Sequence, residues 1–321
     1  MITLDDIYAA REAIQGALVR TPLIFSEALS ERVGRPLWLK LENLQQTGSF
    51  KPRGVLTKIA ALSAEEKERG LVTISAGNHA QALAYAARAA GVRCTVVMPA
   101  DAPATKIANT RAYGATVILH PDRVTLLDRC RQEQEAHGYV YAPPFDDPQV
   151  IAGQGTVGLE IVEDLPDVAA VVVPIGGGGL IAGVAVAVRG LRPEALIYGV
   201  EPEGAPGMAR SLAEGHAVHL DKISTIADGL AAPFAGELNY AIVRDMVHQV
   251  VLLSDEEIAA AIPPLLEWAK VVPEPGGAAA LAGLLAGKLD LPAEGPVVAI
   301  VSGGNVDLSR LRGFLPSRAS A

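Results

Sequence analysis

The chain has 321 residues, 50% of them hydrophobic and 20% charged, with 27 Lys+Arg against 36 Asp+Glu and a formal net charge of −9. That apolar content excludes a disordered chain, and at roughly 100–200 residues per domain the length fits one large or two medium domains. An acidic balance (pI near 5.2) with no Lys/Arg-rich run excludes the usual nucleic-acid and anionic-membrane binders, which leaves small molecules as the expected partners.

In chain order, the N-terminal MITLDDIYAAREAIQ is acidic and amphipathic and lacks the apolar core of a signal peptide. Short β-branched runs predict strands at 37–42, 71–74, 94–98, 116–119 and 139–141, then at 169–175, 196–200, 249–252 and 297–301. Ala-rich segments of helical length fall between them at 78–90, 103–113, 124–137, 180–189 and 255–269. The apolar stretch 180–188 is closed by Arg189 well short of a membrane span, so a cytoplasmic protein is expected. Strands of continuous Val/Ile character imply parallel sheets covered on both faces. Nine such strands are many for one doubly wound sheet. The expected fold is therefore α/β, with two open twisted domains of mostly parallel sheet sharing a cleft. The cluster APPFDDP at 142–148 is the expected crossing between them. Cys94 reads as core packing. Cys130, between Arg129 and Arg131, reads as an incidental thiol with two cations able to lower its pKa.

Three segments stand where strands end, which is where α/β sheets bind ligands. Ser75-Ala76-Gly77-Asn78-His79 puts small residues and free N–H groups at a helix start, suited to a carboxylate or phosphate. The same residues also spell an ordinary helix cap. Gly176, Gly177, Gly178 and Gly179 supply four successive N–H groups that can approach one phosphate with no Cβ in the way. Ser302, in Ser302-Gly303-Gly304-Asn305, sets either one neutral hydroxyl on a ligand heteroatom or a plain turn. Lys51, between Phe50 and Pro52 at a helix start, sits where desolvation and the positive helix end make an amine nucleophilic. A surface lysine is the ordinary alternative. Glu201 closes the strand after the glycine loop, where a dinucleotide site keeps its ribose-binding acid. The loop fits G-x-G-x-x-G only in its looser form, with Ala182 third. His216 and His219 have no third ligand nearby and read as surface residues.

Lys51, the Asn78 loop, the 176–179 loop and Ser302, in that order in one chain, resemble the fold-type II pyridoxal-phosphate enzymes of tryptophan synthase β-like fold. Within them the chain is similar to the threonine/serine dehydratase and serine racemase branch. The matching stretches are LENLQQTGSFKPRG (41–54), SAGNHAQALAYAAR (75–88), IAGQGTVGLE (151–160), GGGGLIAG (176–183), IADGL (226–230) and SGGN (302–305), spread over nearly the whole chain. The resemblance implies a large domain made of 1–67 and 146–321 and a small mobile domain of 68–145. It further implies that Lys51 forms the Schiff base with pyridoxal 5'-phosphate and that Phe50 and Asn78 flank the cofactor, with Asn78 at its 3′-oxygen. By the same resemblance Gly176 to Gly179 hold the phosphate, Ser302 faces the pyridine nitrogen, and Ser75, Asn78 and His79 take the substrate carboxylate. The expected activity is that of an ammonia-lyase. Water is eliminated from L-threonine and from L-serine, giving 2-oxobutanoate or pyruvate and ammonia, with Lys51 as the base at Cα.

Three departures sharpen the branch. The racemases resembled here carry a second Ser after the first in this loop, and Ala76 replaces it, so dehydration is expected over racemisation. Some relatives hold a divalent cation with a Glu, a carbonyl four residues on and an Asp two later. Glu201 and Ala205 match, but Gly207 replaces the Asp, and one carboxylate in place of two weakens a hard-cation site. The chain ends 16 residues after Asn305, short of the regulatory domain of biosynthetic relatives, so isoleucine feedback is not expected. Within the family the rivals are a serine racemase and a 3-hydroxyaspartate dehydratase, for whose second carboxylate Arg53 is the one motif-embedded cation. An NAD-dependent dehydrogenase would leave Lys51 and Ser302 without a role. Enzymes of this size are commonly symmetric, so a homodimer or homotetramer is expected.

Overall fold

A computed structural model describes residues 2–102, 104–122 and 125–315. Pro103 and Val124, the starts of two expected helices, lie outside the described residues. The strands are β1 (Leu23–Phe25), β2 (Leu37–Lys40), β3 (Leu71–Ile74), β4 (Cys94–Pro99), β5 (Thr116–His120), β6 (Val140–Tyr141), β7 (Ala170–Pro174), β8 (Leu196–Pro202), β9 (Gln249–Leu253) and β10 (Val297–Ile300). They form a larger sheet in the order β1-β2-β10-β7-β8-β9 and a smaller one in the order β5-β4-β3-β6. All pairings are parallel except β1 against β2.

Both faces of each sheet are covered, which explains the unbroken apolar strands. In β7, Val171 and Val173 pack into a core with Ile197 and Ile300, under the helices Pro148–Asp164 and Gly179–Leu191. Ala170 and Val172, pointing the other way, join Tyr198, Val200 and Ala299 under the helix Pro275–Leu285. Each such Val or Ile contributes about 1.5–3 kcal/mol by leaving water. In the smaller sheet Leu71, Val96 and Met98 lie under the helix Asn78–Ala89, and Val72 and Val97 under Leu126–His137.

Three expectations need correction. β1 has no sequence signal because three residues on an antiparallel edge are too short to show a period. The helix expected over 255–269 is two, Asp255–Ala260 and Ile262–Glu267, because Pro263 and Pro264 lack the N–H a continuous helix needs and instead occupy a new first turn. Cys130 is 1% exposed, and burial, with Glu133, pushes its thiol up to about 11. Arg129 is engaged by Glu133 at 2.5 Å and does not activate the thiol. Among the described residues no helix is long and apolar enough to cross a membrane.

The chain leaves β3, β7 and β10 at their carboxyl ends and runs straight into Ser75, Gly176 and Ser302. The fold thereby sets the three segments around one opening between the sheets.

Candidate active site

That opening is a cleft of about 610 Å³, within the range of small-molecule sites. Phe50, Lys51, Ser75, Ala76, Asn78, His79, Gly176, Gly177, Gly178, Gly179 and Ser302 all line it. Backbone pairing brings the lysine loop to the serine loop. Asn43 N–H donates to Val301 O at 3.0 Å, Phe50 N–H to Ser302 O at 3.1 Å, and Gly304 N–H to Gly48 O at 2.9 Å. These bonds extend the β2–β10 register into the loops and deliver Lys51 to the cleft at the first turn of the helix Lys51–Ala60, where Pro52 is tolerated.

Lys51 Nζ donates to Pro144 O at 2.7 Å and lies 5.0 Å from the centre of the Phe50 ring. Among the described residues no carboxylate is in salt-bridge contact with it. Burial pushes the amine down to about 8, with the charge of Glu274 acting the other way. A lysine so placed has a substantial unprotonated fraction near neutral pH and is a usable base and nucleophile.

The glycine run closes the opposite end of the binding apparatus, at the N-terminus of the helix Gly179–Leu191. Gly178 has φ of 96°, which side-chain-bearing residues rarely adopt. At Gly177 a Cβ would lie 2.4 Å from the Phe145 ring. Unpaired N–H groups and the helix dipole make this end attractive to an anion.

The helix Asn78–Ala89 has Gly77 at its N-cap and no side-chain cap, so its first N–H groups are free for a ligand. Ser75 Oγ accepts from Gly77 N–H at 3.1 Å, which leaves its own O–H to donate. The His79 ring is tied to the protein interior. Its Nε2 lies 3.0 Å from Ala142 O and 3.1 Å from Thr73 Oγ1, and the carbonyl, which can only accept, fixes the proton there. Burial, then the charge of Lys51, pushes the imidazole down to about 3. A neutral, tethered ring offers an anion no charge, which leaves the main-chain N–H of His79 at the uncapped helix start.

Three candidates are engaged elsewhere. Glu201, at 0% exposure, accepts from Met208 N–H and Ala209 N–H at 2.8 Å each, satisfying the start of the helix Gly207–Glu214. Ala205 O accepts from Gly207 N–H at 3.0 Å. Both Glu201 oxygens and Ala205 O are thus engaged by main-chain N–H groups, and Glu201 is not free for a ribose; among the described residues no group of three His, Cys, Asp or Glu could hold a metal. Arg53 is 2% exposed and turned away from the cleft. Its Nε and Nη2 donate to Glu42, and Nη1 and Nη2 to Glu160, all at 2.8–2.9 Å. It is thus lost as a receptor for the second carboxylate of hydroxyaspartate.

Other cleft residues escaped the sequence reading. Glu274, 7% exposed, accepts from Asn78 Nδ2 at 2.6 Å. At the mouth Asp228 accepts from Arg310 Nη1 at 2.6 Å and from Lys106 Nζ at 3.2 Å. Glu274-Pro275 looks like any acidic helix start, and its pairing with Asn78, 196 residues away, has no local signal.

A model of the pyridoxal-phosphate dependent enzyme family matches residues 14–303. An L-threonine ammonia-lyase of Thermotoga maritima is 48% identical, over 97% of this chain and 77% of that one. The catabolic L-threonine dehydratase TdcB of Escherichia coli strain K12 is 45% identical, over 97% and 95%. Among solved structures, maize serine racemase matches with a TM-score of 0.93 at 38% identity, covering 97% of this chain and 96% of that one. The serine racemase of Dictyostelium discoideum matches with a TM-score of 0.90 at 39% identity, covering 96% and 99%.

Proposed function

The chain belongs to the pyridoxal-phosphate dependent enzymes, and from that premise we propose that it is an ammonia-lyase that removes water from L-threonine, and from L-serine. Elimination takes the Cα proton and the β-hydroxyl. Hydrolysis of the released enamine takes up one water and yields ammonia with 2-oxobutanoate or pyruvate. The observation that carries this reading is Lys51: a desolvated amine bonded to a carbonyl, in the same cleft as a glycine cradle at a helix N-terminus.

The residues fit the cofactor. A phosphate needs the N–H groups that Gly176 to Gly179 leave open, and at Gly177 the Phe145 ring packs so close that there is no room for a side chain. Those glycines would hold the phosphate, Ser302 the pyridine nitrogen, Phe50 and Asn78 the two flanks of the ring, and Lys51 the aldehyde. When bound, pyridoxal phosphate supplies an electron sink for the pair left when the Cα–H bond breaks.

This chain's residues do the remaining work. Lys51 Nζ takes the Cα proton, which its depressed pKa allows. Ser75 O–H and the free N–H groups at the start of the helix Asn78–Ala89 hold the carboxylate and so fix which face of Cα meets the lysine. Ser302 is loosely engaged, its hydroxyl 3.4 Å from Gly276 O, and offers a neutral partner rather than a charge. Ala76 lines the cleft with a methyl group that carries no proton to return to Cα from the far side. That favours dehydration over racemisation.

We infer also that residues 1–67 with 146–321 form one unit and 68–145 a smaller one that closes over substrate. The support is that every strand of the smaller sheet falls within 71–141. A symmetric homo-oligomer is proposed on size alone.

The test compares L-threonine, L-serine and L-threo-3-hydroxyaspartate by 2-oxo acid formation, with Lys51→Ala as control. Fastest turnover of threonine, abolished in the variant, is expected. Turnover confined to hydroxyaspartate would reject the proposed substrate, and D-serine formed as fast as pyruvate would reject the lyase assignment.

A further inference from the structure

Glu274 has no part in the steps above, yet its carboxylate lines the cleft. It stands at the N-cap of the helix Pro275–Leu285 without capping it by its side chain. The carboxylate turns instead into the cleft wall between Gly229 and Gly303, where a Cβ on Gly303 would lie 2.2 Å from Oε1. A side chain that forgoes its own helix end and needs a glycine to make room is built for its other contact, Asn78 Nδ2 at 2.6 Å.

The bond is one of three in series. Asn78 Oδ1 accepts from Asn305 Nδ2 at 2.8 Å, and Asn305 Nδ2 also donates to Thr47 O at 2.7 Å. Thr47 is held at φ of 62°, a conformation that costs a β-branched residue about 1–3 kcal/mol. Both ends of the series, a main-chain carbonyl and a carboxylate, accept only. Each carboxamide between them can be turned either way in isolation. From Thr47, however, Asn305 must present its NH₂, both of whose protons are then used. Asn78 must meet it with oxygen and turn its own NH₂ to Glu274. One N–H of Asn78 is left for the cleft.

We propose that Glu274 is a positioning residue, holding the Asn78 carboxamide so that its remaining N–H, and not its oxygen, meets the ring 3′-oxygen of bound pyridoxal phosphate. The inference rests on the reading that Asn78 flanks that oxygen. A charged carboxylate accepts from the Asn78 NH₂ and holds the carboxamide in that orientation, strengthening its oxygen as the acceptor of Asn305, whereas a protonated one brings a competing donor and slackens the hold. Burial pushes Glu274 up to about 7, opposed first by the bond from Asn78. The charged groups that act with it are Lys51 on Lys51–Ala60, Lys106 on Ala104–Ala112, Asp228, and Arg310 on Leu308–Phe314. The carboxylate therefore changes charge within a working pH range.

The test is the absorption spectrum of the bound cofactor in holoenzyme from pH 6 to 9, for wild type, Glu274→Gln, Asn78→Ala and Asn305→Ala. The wild-type band should titrate near pH 7. Glu274→Gln, which keeps the shape and one acceptor but no charge, should lose that step and about tenfold in kcat, with KM within about twofold. If Asn78→Ala shifts the band while Glu274→Gln leaves both band and titration as in wild type, the role of Glu274 is overturned and the placement of Asn78 stands. An unchanged band in Asn78→Ala overturns the placement itself. Should Glu274→Gln fail to fold, Asn305→Ala, which frees the far clamp with Glu274 intact, must still shift the band; an unshifted band there overturns the proposal.

Discussion

Lys51 and Arg53 stand two residues apart in one Lys-Pro-Arg turn and serve opposite ends of buried electrostatics. Arg53 directs its donors to Glu42, Glu160 and Thr156, and Lys40 adds a second cation at 2.6 Å from Glu160. Two cations thus meet two carboxylates. Burial works against Arg53, but the carboxylates outweigh it and raise its pKa; the same pairing outweighs burial at Glu160 and lowers its pKa. Lys51 has a carbonyl for its partner, and burial wins. Burial of a charge is therefore common to both regions and identifies neither. What separates scaffold from reactive site is whether the buried charge has been neutralised.

Substitutions at the two residues should break in opposite ways, and these are the largest effects expected. Lys51→Ala should cost about 10⁴-fold or more in turnover, while the free energy of unfolding in urea moves by no more than about 1 kcal/mol. Arg53→Met should lower unfolding stability by about 3–5 kcal/mol, because Glu42 is left buried without a counter-ion and Glu160 keeps only Lys40. Its turnover per folded molecule should fall far less than that of the lysine variant. Equal loss of activity in both variants, at equal stability, would erase the distinction.

Gly177→Ala tests the cradle, which is neither charged nor exposed. With a Cβ at 2.4 Å from the Phe145 ring, overpacking by about 1–3 kcal/mol should appear as roughly tenfold weaker cofactor binding in a titration followed by absorbance. Glu201 sharpens the comparison through pH. Burial pushes its carboxyl up to about 8 despite two N–H donors, so it is neutralised by a proton and not by a cation. Its folded pKa lies above the unfolded one. The stability it contributes is full below about pH 4.5 and is lost as pH rises through 8, by at most about 1.4 kcal/mol per pH unit for one proton. Glu201→Gln should flatten that part of a urea-unfolding profile measured against pH.

The fold and the cleft were largely legible for one physical reason. A sheet buried on both faces writes itself as unbroken Val/Ile runs, so every strand but β1 announced itself. Likewise the segments after β3, β7 and β10 bear residues with few other uses, such as the four successive glycines. What was not legible depends on distant partners. Arg53 sits in the same motif as Lys51, and nothing local says that it turns inward to Glu42 and Glu160. His79 is expected at the substrate carboxylate, and nothing local says that its ring is tied to Ala142 O. Glu274 reads as a helix start until Asn78 is found beside it.

The smallest expected effect concerns the cleft mouth, where charges are paired but wet. Lys106, carried by a helix of the smaller sheet, meets Asp228 at 3.2 Å with side chains 17% and 43% exposed. Asp228 keeps Arg310 at 2.6 Å when Lys106 is removed, so Lys106→Ala leaves no carboxylate stranded. An exposed pair of this kind is worth about 0–1 kcal/mol and is screened by salt. Lys106→Ala should therefore leave stability and kcat within about twofold of wild type and, on the proposed closing of the smaller unit over substrate, raise KM by about two- to fivefold, because the bridge links the two sides of the cleft. High salt should give the wild-type enzyme the same rise in KM and have little further effect on the variant. A loss of stability on the scale expected for Arg53→Met would mean that neutralisation fails as the dividing line between these clusters, because Asp228 would still have its second cation.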